Sequence, residues 1–276
     1  MSNAQSIATE LGELQQDEQW LQLEIDRLNR NSIVPLEHLR ELHSWLDEKR
    51  KARQSCRIVG ESRTGKTIAC ESYTLRNKPN QQGQQTPSVP VVYIMPPTKC
   101  SAKDFFKEII ESLRYRAVKG TVSDFRSRAM EVLKACDVQM LIVDEADRLK
   151  PDTFPDVRDI SDKLEISVVL VGTDRLEAVI KRDEQIYNRF RSHRRFGKLT
   201  GEDFKKTVFI WEEKVLKLPV ASNLTKTDML KIITKATEGY IGRLDELLRE
   251  AAIKSLSRGK KSIEKDILQE VAREYS

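Results

Sequence analysis

Gly60-Glu61-Ser62-Arg63-Thr64-Gly65-Lys66-Thr67 fits the pattern GxxxxGK(S/T), and its neighbours are those the pattern needs. The apolar run Cys56-Arg57-Ile58-Val59 stands before it, and a helical stretch to about Arg76 follows. In 276 residues of average composition a chance match has odds on the order of one in a hundred. Glycine lets successive backbone N–H groups wrap a phosphate, and the following helix N-terminus adds a favourable dipole. Lys66 is expected to reach the β- and γ-phosphates of a nucleoside triphosphate, and the Thr67 hydroxyl to ligate Mg²⁺.

A second part lies downstream. Met140-Leu141-Ile142-Val143-Asp144-Glu145 reads as a buried strand ending in two carboxylates. Asp144 can hold the metal through water, and Glu145 can polarise the attacking water as general base. The second carboxylate, with no NKxD guanine-reading motif, favours ATP over GTP. Ser167-Val168-Val169-Leu170-Val171-Gly172-Thr173-Asp174 ends in a polar residue beside the expected γ-phosphate. Thr173 can sense that phosphate, although Thr-Asp is also an ordinary helix N-cap.

Residues 181–198 carry seven Lys/Arg against two Asp/Glu. An arginine here can enter a neighbouring subunit's phosphate site and neutralise charge on the γ-phosphoryl group; Arg189 is the first choice and Arg191 the second. Phosphate contact with DNA, or an exposed basic face, is the alternative. In Tyr240-Ile241-Gly242-Arg243-Leu244, Arg243 can reach the same nucleotide in cis while Ile241 packs on the base; a plain glycine-started helix is the alternative. The expected nucleotide-binding set is residues 60–67 with Ile68, Val34, Ile241 and Arg243.

Short apolar runs (Cys56–Val59, Val89–Met95, Met140–Val143, Val168–Val171) alternate with helical stretches, the pattern of a parallel sheet covered on both faces. The polar stretch Asn77–Ser88 reads as a loop. From Glu202 the pattern is helical, over about 202–217, 225–237, 243–257 and 262–274. Leu11, Leu14, Leu21, Ile25 and Leu28 mark an amphipathic helix over 7–30, and a second is expected from about Leu36 to Arg50, both packing on the main domain. The expected domains are a helical extension (1–50), an α/β core (51–200) and a C-terminal helical lid (201–276).

Lys and Arg total 48 against 43 Asp and Glu, a net charge of +5. Residues 1–50 hold five basic and ten acidic side chains, so the rest is a mildly basic body that suits a polyanionic partner. A charged fraction of 33% and the lack of a long apolar run exclude a membrane span. The opening Met1-Ser2-Asn3-Ala4-Gln5 lacks a secretory layout, so a cytoplasmic protein is expected. Cys56, Cys70, Cys100 and Cys136 are scattered without CxxC, against a zinc ribbon or disulfide scaffold and for reduced core thiols. His193 reads as a strand-edge residue rather than a ligand, and a metal-dependent nuclease lacks its carboxylate cluster.

The order of parts resembles the AAA+ ATPases. Within them GESRTGKT (60–67), LIVDEADRLKP (141–151), VVLVGTDRL (168–176), NRFR (188–191) and GYIGRLDELLREAA (239–252) look like the TnsC/TniB transposition ATPases of bacteria, closest to the short TnsC of RNA-guided, CRISPR-associated transposons. The resemblance spans about residues 7–275. It implies a five-stranded parallel AAA+ core with a helical lid, and ATP-dependent assembly on duplex DNA as a hexameric ring or helical filament. It also implies recruitment of a TnsB-like transposase, and contact with a TniQ-like adaptor and an RNA-guided effector. Many AAA+ proteins carry Asn where Thr173 stands. The short TnsC proteins present a helix lysine and a Lys-Gly-Thr turn to the DNA backbone, which correspond to Lys103 and to Lys119-Gly120-Thr121. Residues 99–128 hold eight Lys/Arg and four Asp/Glu, for which a solvated helix face is the default reading and salt-dependent phosphate contact the one that the resemblance implies.

Two other readings share these residues. A replication-initiator or helicase-loader ATPase would use the same nucleotide site, and a nucleotide-stabilised scaffold would bind ATP with little turnover. The acidic N-terminal helices and Arg273-Glu274-Tyr275-Ser276 are candidate docking surfaces.

Overall fold

The computed structural model describes residues 18–30, 33, 34, 36–81, 86–117 and 119–275. Leu11 and Leu14 of the expected first helix, and residues 82–85 of the expected loop, lie outside them.

The chain divides into two compact units. One spans Pro35–Gly197; the other joins the N-terminal residues up to Val34 to Lys198–Ser276. The first unit holds five strands: β1 (Cys56–Gly60), β2 (Val91–Ile94), β3 (Met140–Val143), β4 (Ser167–Gly172) and β5 (His193–Phe196). They form one parallel sheet in the order β2-β3-β4-β1-β5. β1, β3 and β4 are the central strands and are buried throughout, which is why they read as unbroken apolar runs. β5 is an edge strand whose residues are mostly exposed, so its sequence His193-Arg194-Arg195-Phe196 carries no such signature.

Helices link the strands: α2 (Glu37–Lys51) leads into β1, and α3 (Lys66–Arg76) follows it. Next come α4 (Ala102–Ser112), α5 (Val122–Ala135), α6 (Phe154–Leu164), α7 (Asp174–Ile180) and α8 (Glu184–Arg189). Phe105, Phe106, Ile109 and Ile110 of α4 pack with Leu141, Val143, Val168 and Leu170 of the sheet in one core cluster. All four cysteines are free and buried, and burial pushes the Cys56 thiol up to about 12.

The second unit is helical. It comprises α1 (residues 18–29 as described), α9 (Gly201–Ile210) continuing into a π-helical turn (Trp211–Leu216), α10 (Thr227–Thr237), α11 (Ile241–Ser257) and α12 (Lys265–Glu274). Arg27 of α1 donates to the carbonyls of Val215 (2.9 Å) and Leu216 (2.6 Å), which the π turn leaves without helical partners. Arg249 of α11 reaches back to the carbonyls of Leu28 and Arg30.

The boundary expected at residue 50 therefore falls at 34/35. α1 joins the C-terminal helices through these contacts. α2 stays with the α/β unit, where His43 lies 3.1 Å from both the Ala69 carbonyl and the Ser72 hydroxyl of α3.

Candidate nucleotide site

The loop from β1 to α3 is shaped by two glycines. Gly60 pairs with Phe196 of β5, and a Cβ there would lie 2.2 Å from the Phe196 carbonyl oxygen, so the strands run this close only with glycine. Gly65 precedes α3 at φ 91°, in the left-handed region. The Thr64 hydroxyl closes the turn by donating to the Glu61 carbonyl at 2.8 Å. Lys66 is 7% exposed, and its ammonium donates to the Gly60 (2.9 Å) and Glu61 (2.7 Å) carbonyls. Burial pushes it below the usual lysine range, while the carboxylates of Asp144, Glu145 and Asp147 act in the opposite sense. Glu61, Ser62, Arg63 and Ile68 are exposed and Thr67 is half-buried.

Asp144 follows β3 and is 1% exposed. Its Oδ1 accepts from the Glu145 N–H at 2.7 Å and its Oδ2 from the Tyr93 hydroxyl at 2.8 Å. Burial and the Asp144 charge raise the Tyr93 phenol far above its ordinary value, so it stays a donor. Tyr93 is a site residue that the sequence reading missed. The available signal was one hydroxyl-bearing side chain in the apolar run Val91-Val92-Tyr93-Ile94, on the strand beside β3.

Glu145 takes φ 49°, a left-handed turn out of the strand, and its Oε2 lies 3.7 Å from Arg148 Nε. Beside it is a cavity of about 460 Å³, lined in part by Lys99, Asp147, Arg148 and Arg175. Asp147 Oδ2 lies 3.4 Å from the Thr173 hydroxyl, which also accepts from the Arg175 N–H at 3.3 Å as the N-cap of α7. Cap and carboxylate contact thus meet on one side chain. Asp147 Oδ1 is buried with no hydrogen-bond partner among the described residues.

No group of three or more His, Cys, Asp or Glu suited to a metal ion occurs among the described residues. The two expected ligands, the buried Asp144 carboxylate and the half-buried Thr67 hydroxyl, are both oxygen donors. They fit Mg²⁺, which keeps most of its ligands as water and substrate phosphate.

Arg189 ends α8 and pairs with Asp162 of α6. Arg191 is exposed and has no ion pair to another described residue. A buried arginine that the sequence reading passed over, Arg57 of β1, holds this segment: it donates to the carbonyls of Phe190 (2.5 Å) and Arg191 (3.2 Å) and to Glu177 Oε1 (2.8 Å). Its signal was a charged residue inside a run otherwise suited to a buried strand.

Val34, Ile241 and Arg243 belong to the helical unit. There Arg243 pairs with Glu238 at 2.7 Å and lies over the Tyr240 ring at 4.8 Å. Lys103 of α4 is exposed, with its ammonium 5.2 Å from the Phe125 ring of α5. Thr121 caps α5 in a capping box, its hydroxyl donating to Asp124 Oδ2 at 2.8 Å, and Lys119 is exposed beside it. The fold thus brings the lysine and the Lys-Gly-Thr turn to one helix pair, although the threonine hydroxyl is already engaged.

A family model described as bacterial TniB protein matches residues 19–198. The chain belongs to the TniB family. That family is one of transposition-related AAA+ ATPases. Among solved structures, this TniB-family chain is similar to Cdc6p from Pyrobaculum aerophilum, at 20% identity over 91% of this chain and 71% of that one, with TM-score 0.71. It is similar also to the Aeropyrum pernix ORC1 protein in complex with DNA, at 16% identity over 90% and 68%, with TM-score 0.67. A third likeness is to domain III of the Thermotoga maritima replication initiation protein DnaA, at 14% over 91% and 95%, with TM-score 0.57. At these identities the likeness is one of fold, and the fold is AAA+. No curated protein matches. Among the described residues no helix is long and apolar enough to cross a membrane.

Proposed function

We propose that this TniB-family protein is an ATPase that assembles on duplex DNA and there marks a target site for a transposase. The observation that carries the proposal is one convergence. Lys66, Asp144 with Glu145, and Thr173 follow the C-terminal ends of β1, β3 and β4, the three adjacent central strands. Ligands of open parallel sheets bind at that edge. Lys66 feels the charges of Asp144, Glu145 and Asp147, and Asp147 touches Thr173, so the four positions share one electrostatic environment.

In this reading the phosphate loop holds the triphosphate and Lys66 leaves its carbonyl partners for the β- and γ-phosphates. Thr67 and Asp144 would hold Mg²⁺, which when bound would neutralise phosphate charge. Glu145 orients a water and accepts its proton, and Thr173 reports the γ-phosphate through its hydroxyl. Arg189 of an adjacent copy, or else Arg191, meets that γ-phosphate. Leaving Asp162 costs Arg189 little, because an exposed ion pair contributes about 0–1 kcal/mol. A head-to-tail contact of this kind closes into a ring or propagates as a helical filament. Hydrolysis removes the gripped phosphate, and copies separate.

Lys103 and Lys119, with the Thr121 turn, contact DNA phosphates without reading bases; repeated in each copy, weak contacts multiply. The likeness to short TnsC proteins of RNA-guided transposons supports a TnsB-like transposase and a TniQ-like adaptor as partners. Lys66→Ala tests the switch. Nucleotide-dependent DNA binding is expected to disappear, and binding that persists would discard it.

A further inference from the structure

We infer that Arg57 and Glu177 form a positioning pair that sets the arginine segment of each copy for use by its neighbour. The inference rests on the proposed role of that segment and adds residues outside the nucleotide site.

Arg57 lies three residues before Gly60 on β1 and is 2% exposed. An arginine in a central strand flanked on both sides is unusual, because burying its charge is costly unless it is paired and hydrogen-bonded. One end of its guanidinium holds the Phe190 and Arg191 carbonyls, the other holds Glu177 of α7, and its plane lies 5.3 Å from the Tyr187 ring of α8. Its own N–H donates to the Ser192 carbonyl at 2.9 Å. One side chain and one amide therefore fix three consecutive carbonyls, 190 to 192, in the turn between α8 and β5. Arg189 ends the helix entering that turn and Arg191 lies within it. The carbonyls at a helix C-terminus lack helical donors, and a guanidinium matches that need.

Glu177 is what keeps Arg57 in place. The Arg57 hydrogen bond holds its carboxyl below the usual glutamate range. The groups facing it are Arg57, Lys181 at 3.9 Å and Arg195 of β5 at 4.0 Å. Glu177 sits four residues after Thr173 on the same short helix, so the sensor helix, the strand feeding the phosphate loop and the arginine turn meet at one guanidinium. Of the Arg57 guanidinium nitrogens, Nε alone is buried without a hydrogen-bond partner among the described residues.

The test uses the full-length protein with the variants Glu177→Gln and Arg57→Lys. Each is expected to bind a fluorescent ATP analogue at dilute concentration with affinity within about twofold of the parent. DNA-stimulated turnover is expected to fall by about 100-fold, the loss that follows a displacement of a catalytic group by about 1 Å. Mixing decides the mechanism: Lys66→Ala copies have an intact arginine segment but a disabled phosphate loop. Adding them to Glu177→Gln copies should restore turnover, because the intact segment then serves the Glu177→Gln nucleotide site. Absence of restoration, or loss of ATP binding in Glu177→Gln alone, would overturn the inference. The Arg189→Ala/Arg191→Ala double variant separates the two claims. If it turns over normally, the role of the arginine segment is wrong; if it is dead while Glu177→Gln and Arg57→Lys are normal, only the positioning pair is wrong.

Discussion

Replacing Tyr93 with phenylalanine removes one hydroxyl and leaves the ring. That hydroxyl donates at 2.8 Å to Oδ2 of Asp144, a carboxylate 1% exposed whose other oxygen is occupied by the Glu145 N–H. A hydrogen bond to a charged group contributes about 1.5–3 kcal/mol, and a buried oxygen left unpartnered keeps its desolvation cost. Taking about 2 kcal/mol, and about 2–4 °C of melting temperature per kcal/mol for a unit of this size, Tyr93→Phe is expected to lower Tm by roughly 4–8 °C. Asp144 also loses the group that orients it, and removing such an outer partner weakens metal binding by about 10–100-fold. Mg²⁺-dependent ATP affinity should therefore fall by at least about tenfold, whereas affinity measured in EDTA should stay close to the parent. Calorimetry gives the first quantity and titration of a fluorescent ATP analogue the second. A Tm within about 1 °C of the parent, with unchanged Mg²⁺ dependence, would refute the role given to Tyr93.

Glu145→Gln keeps the size of the side chain but not its basicity, so ATP-bound assemblies should persist; disassembly at the parental rate would remove Glu145 as the base. Lys103→Ala with Thr121→Ser, which retains the helix cap, should weaken DNA binding and flatten its dependence on salt by about one unit of log–log slope per lost lysine, while ATP affinity holds; an unchanged slope would reject the site. His43 gives a pH prediction: burial lowers its pKa from the ordinary 6.5. The unfolded chain then takes up the proton first, so stability is intact above pH 6.5 and declines as pH falls through the window below it. Denaturant titrations at pH 7 and 5.5 should show this loss, reduced in His43→Gln; an equal loss in both proteins would assign it elsewhere.

Much of the fold was legible because its central strands are buried on both faces. β1, β3 and β4 read directly from apolar runs, and the phosphate loop, Asp144 and Thr173 follow from their positions at the strand ends. β5 was legible only through the reading of His193 as a strand-edge residue and the fifth strand that the resemblance implies; its bounds were not, since an exposed edge strand such as His193–Phe196 has no burial pattern to display. The assignment of α1 and α2 to different units was equally hidden. Both are amphipathic, and periodicity shows that a face is buried without showing against what; Arg27 and Arg249 make that choice through carbonyl contacts distant in sequence. Tyr93 and Arg57 escaped for a related reason. Each lies within a strand pattern that counts them as filler, and only the neighbouring strand or turn reveals what their polar atoms hold.

Sedimentation of the purified protein with long duplex DNA, under saturating non-hydrolysable ATP analogue and under ADP, addresses most directly whether a triphosphate joins one copy to the next. Large DNA-bound assemblies with the analogue and dispersed copies with ADP are the expected result. Copies that remain single in both nucleotides would contradict it.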